Sequence, residues 1–216
     1  MSVEIIDETL AKNPSLKCIR NHILDACQLV IHTFEQGGKV LICGNGGSSS
    51  DSDHIVSELA KSFEIKRRVD SSFKKNLIAA DPEEGGTLAK HLEPAFPTIS
   101  LTAPTGLITA ITNDIGGDFI FAQQICSIGH SEDLLITLST SGNSPNVIKA
   151  LITAKAIGMK TIGFSGESGG GMMKYCDVLL NVPAIKTAEV QELHLPVYHC
   201  LCRFVEHHFY ANEFIS

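Results

Sequence analysis

Short apolar runs recur along the chain, and segments with apolar residues at helical spacing lie between them. Such runs are typical of strands buried on both faces of a sheet. The runs fall at residues 39–43, 98–102, 133–138, 160–164 and 177–182. Helical spacing covers residues 16–34, 48–63, 107–111, 119–129, 144–157 and 187–210. The alternation predicts an α/β fold with a mostly parallel sheet that is covered by helices on both faces.

Residues 64–93 differ from the rest of the chain because they are charged and loop-like. They include Asp-Pro-Glu-Glu-Gly-Gly at 81–86, which is typical of a turn, and a short helix is predicted around 73–80. We interpret this segment as an insertion over one end of a single domain spanning 1–216. Residues 1–37 are interpreted as a helical extension that ends at two glycines.

The loop at residues 139–144 is the most informative segment. It reads Ser-Thr-Ser-Gly-Asn-Ser, and Pro145 follows it at the expected start of a helix. Backbone N–H groups at a helix start attract a phosphate dianion, and hydroxyl groups can donate further hydrogen bonds. The hydroxyls belong to Ser139, Thr140, Ser141 and Ser144. The loop has no lysine, so it is not a nucleoside-triphosphate P-loop. A turn with a Ser N-cap has the same composition, but the position between a strand and a helix favours ligand binding.

A second loop of this kind, Gly44 to Ser48, follows the first apolar run. Right-handed crossovers would place both loops at the carboxyl edge of the sheet, where ligands bind. The loop lacks the G-x-G-x-x-G spacing of a dinucleotide site. Its glycines let the backbone approach a ligand, and Asn45 can bond to sugar hydroxyls. Alone it is compatible with an ordinary turn; together, the two loops indicate a site for a phosphorylated small molecule.

Two predicted helices carry groups that can perform chemistry. His54 and Glu58 lie one turn apart on one helical face, where they can share a divalent metal or act as a base beside an imidazole. An exposed pair without a chemical role would have the same spacing. The C-terminal helix carries Gln191, Glu192, His194 and His199. Pro196 predicts a bend in that helix, or a loosened turn.

Composition and charge exclude several partners. The net charge is −7, and the densest basic run, residues 66–68, is short and lies beside Glu64 and Asp70, so nucleic acid is not expected as a partner. No apolar stretch reaches membrane-spanning length, so no membrane partner is expected. The seven cysteines show neither disulfide-framework nor zinc-ribbon spacing, which predicts a reducing, cytoplasmic location.

The motifs occur together in the order of a known family. They are Gly44-Asn-Gly-Gly-Ser48, His54-x-x-x-Glu58, Asn113-Asp114, Ser139-Thr-Ser-Gly-Asn-Ser144-x-Asn-Val-Ile-Lys-Ala150 and Gln191-Glu-x-His-x-x-x-x-His199. From about residue 13 to 210 the chain resembles the sugar isomerase (SIS) domain family and, within it, the phosphoheptose isomerases. Many sugar-phosphate binders share the single loops, whereas their combination with His54, Glu58, Gln191 and His199 is much more specific.

The resemblance implies a three-layer, doubly wound, flavodoxin-like sheet of about five parallel strands, with an N-terminal helix and a long C-terminal helix. It implies a homotetramer with active sites at subunit interfaces. The implied reaction is the aldose–ketose isomerisation of sedoheptulose 7-phosphate to D-glycero-D-manno-heptose 7-phosphate through an enediolate. Such a reaction needs a pair of groups that transfer protons and a cation or donors facing the developing oxyanion.

The resemblance also assigns roles to residues. Phosphate would be held by Ser139, Thr140, Ser141 and Ser144. The rest of the substrate would be bound by Asn45, Gly46, Gly47, Ser48, Asn113, Asp114 and Gln191. One zinc ion per subunit would be held by His54, Glu58, Gln191 and His199. Glu58 would be the general base at C1 of the ketose, and His199 the acid that serves the neighbouring oxygen.

A second class of function remains open: a non-catalytic SIS protein that senses a sugar phosphate or serves as a protein adaptor. A pure binder needs the hydroxyl loop but has no use for His54, Glu58, Gln191 and His199 together, so the enzyme is favoured. Three features depart from the pattern of the family: the long 64–93 segment, Ala188 where some members have an acidic residue, and Pro196.

Overall fold

A computed structural model describes residues 2–211 of the chain. In this part of the chain, five strands form one sheet in which every pairing is parallel. The strands are β1 (Val40–Gly44), β2 (Thr98–Ser100), β3 (Leu134–Leu138), β4 (Lys160–Ser165) and β5 (Val178–Asn181). Their spatial order is β2-β1-β3-β4-β5, the order of flavodoxin-like folds. The predicted α/β class, strand number and parallel sheet are confirmed.

Helices cover both faces of the sheet. They are α1 (Ser2–Lys12), α2 (Arg20–Glu35), α3 (Gly47–Leu59), α4 (Ser71–Ala80), α5 (Gly85–His91), α6 (Thr105–Asp114), α7 (Ile120–Ile128), α8 (Pro145–Ile157) and α9 (Thr187–Tyr210). Alternate strand residues point to opposite faces, so Val40 and Ile42 join one apolar cluster with α2 and α9, while Leu41 and Cys43 join another with α7 and α8. The three-layer architecture is thereby confirmed.

The N-terminal region is helical, as predicted, but it is divided. A single helix was expected from residue 16 to 34, whereas a 3-10 segment spans Pro14–Ile19 and α2 begins at Arg20. Pro14 lies in the first turn of that segment, where its missing N–H costs no hydrogen bond. α1 packs against α9 and buries Ile6 and Leu10.

The charged segment at 64–93 contains two helices, α4 and α5, which pack on each other as a hairpin. The helix predicted around 73–80 is confirmed, but α5 lies where a loop was expected. The reason is local: Asp81 accepts hydrogen bonds from the backbone N–H groups of Glu83 and Glu84, which starts the next helix. The turn residues therefore join two helices. The single-domain interpretation of 1–216 includes residues 1 and 212–216, which lie outside the described part, and it stays a prediction.

The segment that leads into this hairpin is anchored by a buried ion pair. Arg67 and Glu206 are both 0% exposed, and Nη2 of Arg67 lies 2.9 Å from Oε1 of Glu206. The carboxylate also accepts hydrogen bonds from the backbone N–H groups of Phe63, Glu64 and Ile65. α9 thus holds the chain that follows α3. None of the helices in residues 2–211 is long and apolar enough to cross a membrane.

Candidate active site

The hydroxyl loop between β3 and α8 lies at the carboxyl edge of the sheet, as predicted. The hydroxyl oxygens of Ser139 and Ser144 are 2.9 Å apart and join the two ends of the loop. Gly142 has a φ of 66°, and a β-carbon there would lie 2.1 Å from the carbonyl oxygen of Gly169. Only glycine fits this close crossing of two loops, because an L side chain would be both strained and in collision. The sequence thus specifies the loop shape.

A cavity of about 480 Å³ opens beside this loop. Its lining residues come from the ends of β3, β4 and β5, at the edge where α/β sheets bind ligands. They are Thr140, Ser141, Asn143, Gly166, Glu167, Ser168, Ala184 and Ile185. Thr140 and Ser141, both predicted phosphate ligands, therefore border a space large enough for a small molecule.

The glycine loop after β1 approaches α9 closely. A β-carbon on Gly47 would lie 2.2 Å from Nε2 of Gln191, so the absence of a side chain at 47 lets Gln191 reach the loop. Asn45 instead faces Asn146, and each side-chain amide donates to the other at 2.9 Å. Gln191 and the loop are thus brought together as expected, while the Asn45 amide links the two loops. Gly46 lines a small cavity on this edge, and Ser48 is buried.

Three of the four predicted metal ligands, among them the predicted acid–base pair Glu58 and His199, meet where α3 packs against α9. Nε2 of His54 lies 3.2 Å from Oε1 of Glu58 and 3.4 Å from Nε2 of His199. The other carboxylate oxygen of Glu58 accepts from Lys61 at 3.0 Å. The one-turn spacing of His54 and Glu58 therefore does place both groups in one cluster, and α9 brings His199 to it across the helix interface.

The surroundings of His199 favour its neutral form. Partial burial, followed by the nearby His54, lowers the pKa of His199 below its ordinary value, while Glu58 acts in the opposite direction. The ring of Phe63 lies 5.5 Å from the imidazole and shields one side. His199 and Phe63 both border a cavity of about 270 Å³ that also has Lys12 and Arg203 in its lining. A neutral imidazole at neutral pH can both accept and donate a proton.

Sequence reasoning missed two residues of this cluster. The hydroxyl of Tyr198 lies 3.1 Å from Nδ1 of His54 and 3.2 Å from Oδ1 of Asp51. Burial raises the pKa of Asp51, and burial together with Asp51 raises that of Tyr198. One signal was available for Asp51, since it precedes His54 by three residues and so shares its helical face. Tyr198 gave no signal beyond its place next to His199.

Other predicted residues lie apart from the cluster. Asn113 donates to Asp114 at 2.7 Å at the end of α6, and both are exposed. His194, although on α9, is buried against the sheet, where Nε2 lies 3.2 Å from the carbonyl oxygen of Ser165. The hydrogen bonds of the described residues do not connect either set to His54, and the roles predicted for Asn113 and Asp114 stay predictions.

The donor set bears on whether zinc fits here. Two imidazoles and a carboxylate are ligands that zinc accepts, and ligand atoms of a tetrahedral zinc site lie about 3.4 Å apart. The 3.2 Å and 3.4 Å contacts of His54 match that spacing. Across residues 2–211, however, no group of three or more His, Cys, Asp or Glu side chains is arranged so that it could hold a metal ion. The types of donor present therefore fit zinc, whereas their arrangement in this structure does not form a metal site.

Comparisons with known proteins agree with this architecture. The profile of the SIS domain matches residues 14–76 and 78–166. Phosphoheptose isomerase from Helicobacter pylori strain P12 is 37% identical over 95% of this chain and 94% of that protein. The enzyme of the same name from Burkholderia pseudomallei strain K96243 is 37% identical over 99% of this chain and 90% of that protein.

Solved structures extend the likeness to the fold. Phosphoheptose isomerase from Neisseria gonorrhoeae aligns with a TM-score of 0.73 at 31% identity, over 93% of this chain and 94% of that one. Its counterpart from Francisella tularensis aligns with a TM-score of 0.75 at 32% identity, over 90% of each chain. The strand order, the hydroxyl loop, the match to the SIS domain profile and the similarity to these relatives and solved structures lead to one conclusion: the chain belongs to the SIS domain family.

Proposed function

We propose that this chain is an aldose–ketose isomerase that converts sedoheptulose 7-phosphate to D-glycero-D-manno-heptose 7-phosphate through an enediolate. The observation that carries the proposal is the meeting of His54, Glu58 and His199 in a chain with phosphoheptose isomerases as relatives over nearly its whole length. A sensor or an adaptor would need the phosphate loop but not a cluster of proton-transferring groups at the helix interface.

The phosphate end of the substrate binds at the hydroxyl loop. The loop precedes α8, a helix of 13 residues with Pro145 in its first turn, so free backbone N–H groups and the helix dipole face the loop. Thr140 and Ser141 border the cavity, and the Ser139–Ser144 contact holds the ends of the loop in place. Neutral donors of this kind hold a dianion without a lysine.

The cluster supplies the proton transfers. Glu58 removes a proton from C1 of the ketose, and the electron pair moves through the C1–C2 bond onto the oxygen at C2, which gives the enediolate. The same proton returns at C2, while His199 moves a proton from the oxygen at C1 to the oxygen at C2. The lowered pKa of His199 suits this work, since a neutral imidazole offers one donor and one acceptor.

Zinc is part of the proposal, with one ion per subunit held by His54, Glu58, Gln191 and His199. When bound, it would stabilise negative charge on the substrate oxygens. We expect protein purified without chelator to carry about one zinc per chain, the occupancy of a single four-ligand site. Metal analysis by mass spectrometry checks this, and metal-free protein with full activity would remove zinc from the proposal and leave the acid–base pair.

Assembly and location complete the proposal: a homotetramer in the cytoplasm, with active sites at subunit interfaces. The cavity beside the hydroxyl loop and the cavity beside His199 have separate linings in one chain, which suits a site that neighbouring subunits complete. The seven cysteines are free thiols, which suits a reducing compartment.

Glu58→Gln is the decisive variant. We expect its kcat to fall by at least about 100-fold, because general-base catalysis contributes at least that much. Binding of sedoheptulose 7-phosphate, measured by calorimetry, should persist because the hydroxyl loop is unchanged. Glu35→Gln, on the surface of α2, removes the same charge and serves as the matched control. Full isomerase activity in Glu58→Gln would exclude Glu58 as the base, and wild-type protein that converts no ketose phosphate in a panel would exclude the enzyme.

A further inference from the structure

We propose that Asn146 is a positioning residue that fixes the orientation of the Asn45 side chain, so that Asn45 presents one N–H group and one carbonyl lone pair to a hydroxyl group of the substrate. The inference rests on the proposed function in one respect, since it takes the bound molecule to be a phosphosugar. The orientation of Asn45 itself can be measured whether or not the protein isomerises that sugar.

The side chains of Asn45 and Asn146 form a closed pair of hydrogen bonds. Nδ2 of Asn45 donates to Oδ1 of Asn146, and Nδ2 of Asn146 donates to Oδ1 of Asn45, both at 2.9 Å. Asn45 directly follows β1, whereas Asn146 is the second residue of α8, so the pair joins two loops that are far apart in sequence. Two bonds between the same two planar groups restrict the rotation of both amides.

A backbone N–H group decides which terminal atom of each amide is the oxygen. The backbone nitrogen of Val147 lies 2.9 Å from Oδ1 of Asn146. Because a backbone N–H group can only donate, the atom of Asn146 that faces it must be an oxygen. The other terminal atom of Asn146 is then the nitrogen, which donates to the oxygen of Asn45. A reversed Asn45 amide would place nitrogen against nitrogen and oxygen against oxygen, so the first turn of α8 imposes the orientation of Asn45.

The pair leaves Asn45 with two groups that a ligand can use. An amide has two N–H donors and two acceptor lone pairs, and the contact with Asn146 occupies one of each. Asn45 lines a cavity of about 140 Å³ at the carboxyl edge of the sheet, together with Gly46, Ser49 and Thr102. A sugar hydroxyl both donates and accepts, so the remaining N–H group and the remaining lone pair of Asn45 match it.

The pair also connects the two ends of the proposed substrate site. Asn146 lies two residues after Ser144, whose hydroxyl contacts that of Ser139 across the loop where we propose that phosphate binds. The helix that begins at the phosphate loop therefore also orients Asn45. Without Asn146, the exposed Asn45 side chain would rotate freely, and ordering it on a ligand would cost conformational entropy. Asn146 thus contributes to substrate affinity through Asn45.

The orientation of Asn45 can be tested without a ligand. Proton–nitrogen correlation spectra resolve the two protons of each side-chain amide, and a hydrogen bond to an oxygen shifts one of them downfield and slows its exchange with water. We expect one such proton on Asn45 in the wild type, identified by its loss in Asn45→Ala. In Asn146→Ala, the Asn45 signals should move to the positions of a fully solvated asparagine. Asn45 signals that Asn146→Ala leaves unaltered would overturn the inference.

A double-mutant cycle tests the consequence for binding. Calorimetry should show that Asn146→Ala binds sedoheptulose 7-phosphate about 3- to 10-fold more weakly, the equivalent of one hydrogen bond. Asn45→Ala should lose at least as much affinity, and the double variant no more than Asn45→Ala, because Asn146 acts through Asn45. Inorganic phosphate should bind all of these variants as it binds the wild type. Asn21→Ala is the matched control, since it removes an exposed asparagine from the second position of α2.

The outcomes separate positioning from a structural role and from the proposed reaction. Additive losses in the double variant would overturn the inference, and so would weaker binding of inorganic phosphate to Asn146→Ala, which would mean that Asn146 shapes the hydroxyl loop. In the isomerase assay, Asn146→Ala should raise KM with kcat nearly unchanged, because the Asn45 contact is the same in the ground state and the transition state. Wild-type protein that binds the sugar phosphate without isomerising it would exclude the proposed reaction and leave the role of Asn146 in place.

Discussion

His194 shows that a histidine on the helix that carries His199 can be buried in the core instead of joining the cluster around His54. It is 0% exposed, its Nε2 faces the carbonyl oxygen of Ser165, and its Nδ1 is a buried atom without a hydrogen-bond partner among the described residues. Burial lowers its pKa from 6.5 to about 4. Because charge is disfavoured at this position, the ring stays neutral in the folded protein over the physiological range.

We expect the free energy of unfolding to decline as the pH falls from about 6.5 toward 4. The unfolded chain takes up a proton on His194 near pH 6.5 and the folded chain only near 4, so protonation favours unfolding within that window. The loss amounts to about 3 kcal/mol when complete, at 1.4 kcal/mol per pKa unit. Urea unfolding of the wild type and of His194→Gln at several pH values isolates the contribution of His194 to this decline. Parallel pH profiles for the two proteins would contradict it, and exposed His91→Gln is the control.

The residues that the sequence predicted best are those with partners on their own helix or loop. His54 and Glu58 share a face of α3 by spacing alone, and Ser139 and Ser144 lie in one loop. Tyr198 could not be assigned a role in this way, since its contact with His54 depends on how α3 crosses α9. Packing throughout the core determines how α3 crosses α9, and no local sequence pattern indicates it.

At the scale of elements, the anchor between Arg67 and Glu206 predicts a distinct mutational pattern. Glu206→Gln should lower the free energy of unfolding by about 3–5 kcal/mol, because it leaves a buried charge unpaired. Apolar replacement of both partners often restores stability in other proteins. Here Arg67→Met/Glu206→Leu should stay destabilised, since three backbone N–H groups lose their acceptor. Chemical denaturation measures both, with exposed Asp7→Asn as the control. A double variant as stable as wild type would show that the backbone contacts contribute little.

The hydroxyl loop gives a second prediction at this scale. In Gly142→Ala the new β-carbon meets the backbone of Gly169 and must adopt a positive φ, so the loop has to shift. We expect stability to fall by about 1–2 kcal/mol or more, and affinity for sedoheptulose 7-phosphate to fall further, because the loop positions the phosphate donors. Gly106→Ala is the matched control, since a β-carbon there contacts nothing within 4 Å. Calorimetry showing wild-type affinity in Gly142→Ala would contradict the role of the loop.

Helix and strand positions were predictable where apolar spacing is regular. The terminal helix was expected at 187–210, and α9 has those bounds in spite of Pro196. The second helix of the hairpin was missed because Pro82 and two glycines are typical of turns. In the structure Gly85 is the position where α5 crosses α4, since a β-carbon there would lie 2.3 Å from the carbonyl oxygen of Leu77. A glycine needed for close packing and one needed for a turn look alike in sequence.

For the whole molecule, the parallel sheet followed from the alternation of strands and helices and its flavodoxin-like form from the family resemblance, whereas no sequence pattern indicated what surrounds the hairpin. No residue of α4 is buried, although Phe73 and Ile78 are apolar, and α5 likewise exposes Leu88. Apolar side chains exposed together in this way commonly mark a protein interface. In the proposed homotetramer, this apolar face is buried against another subunit. Substitutions on the face therefore test the assembly.

We expect Phe73→Glu and Leu88→Glu to shift the proposed homotetramer toward smaller species, because a charge would be buried in the interface without a partner. Sedimentation velocity at several protein concentrations measures the shift. Asn76→Glu adds the same charge on the same helix and should assemble as the wild type does if residue 76 lies outside the contact. Activity should fall in parallel with assembly, since the proposed sites form between subunits. Tetramers that persist in both variants would place the interface elsewhere, and active monomers would show that one chain carries a complete site.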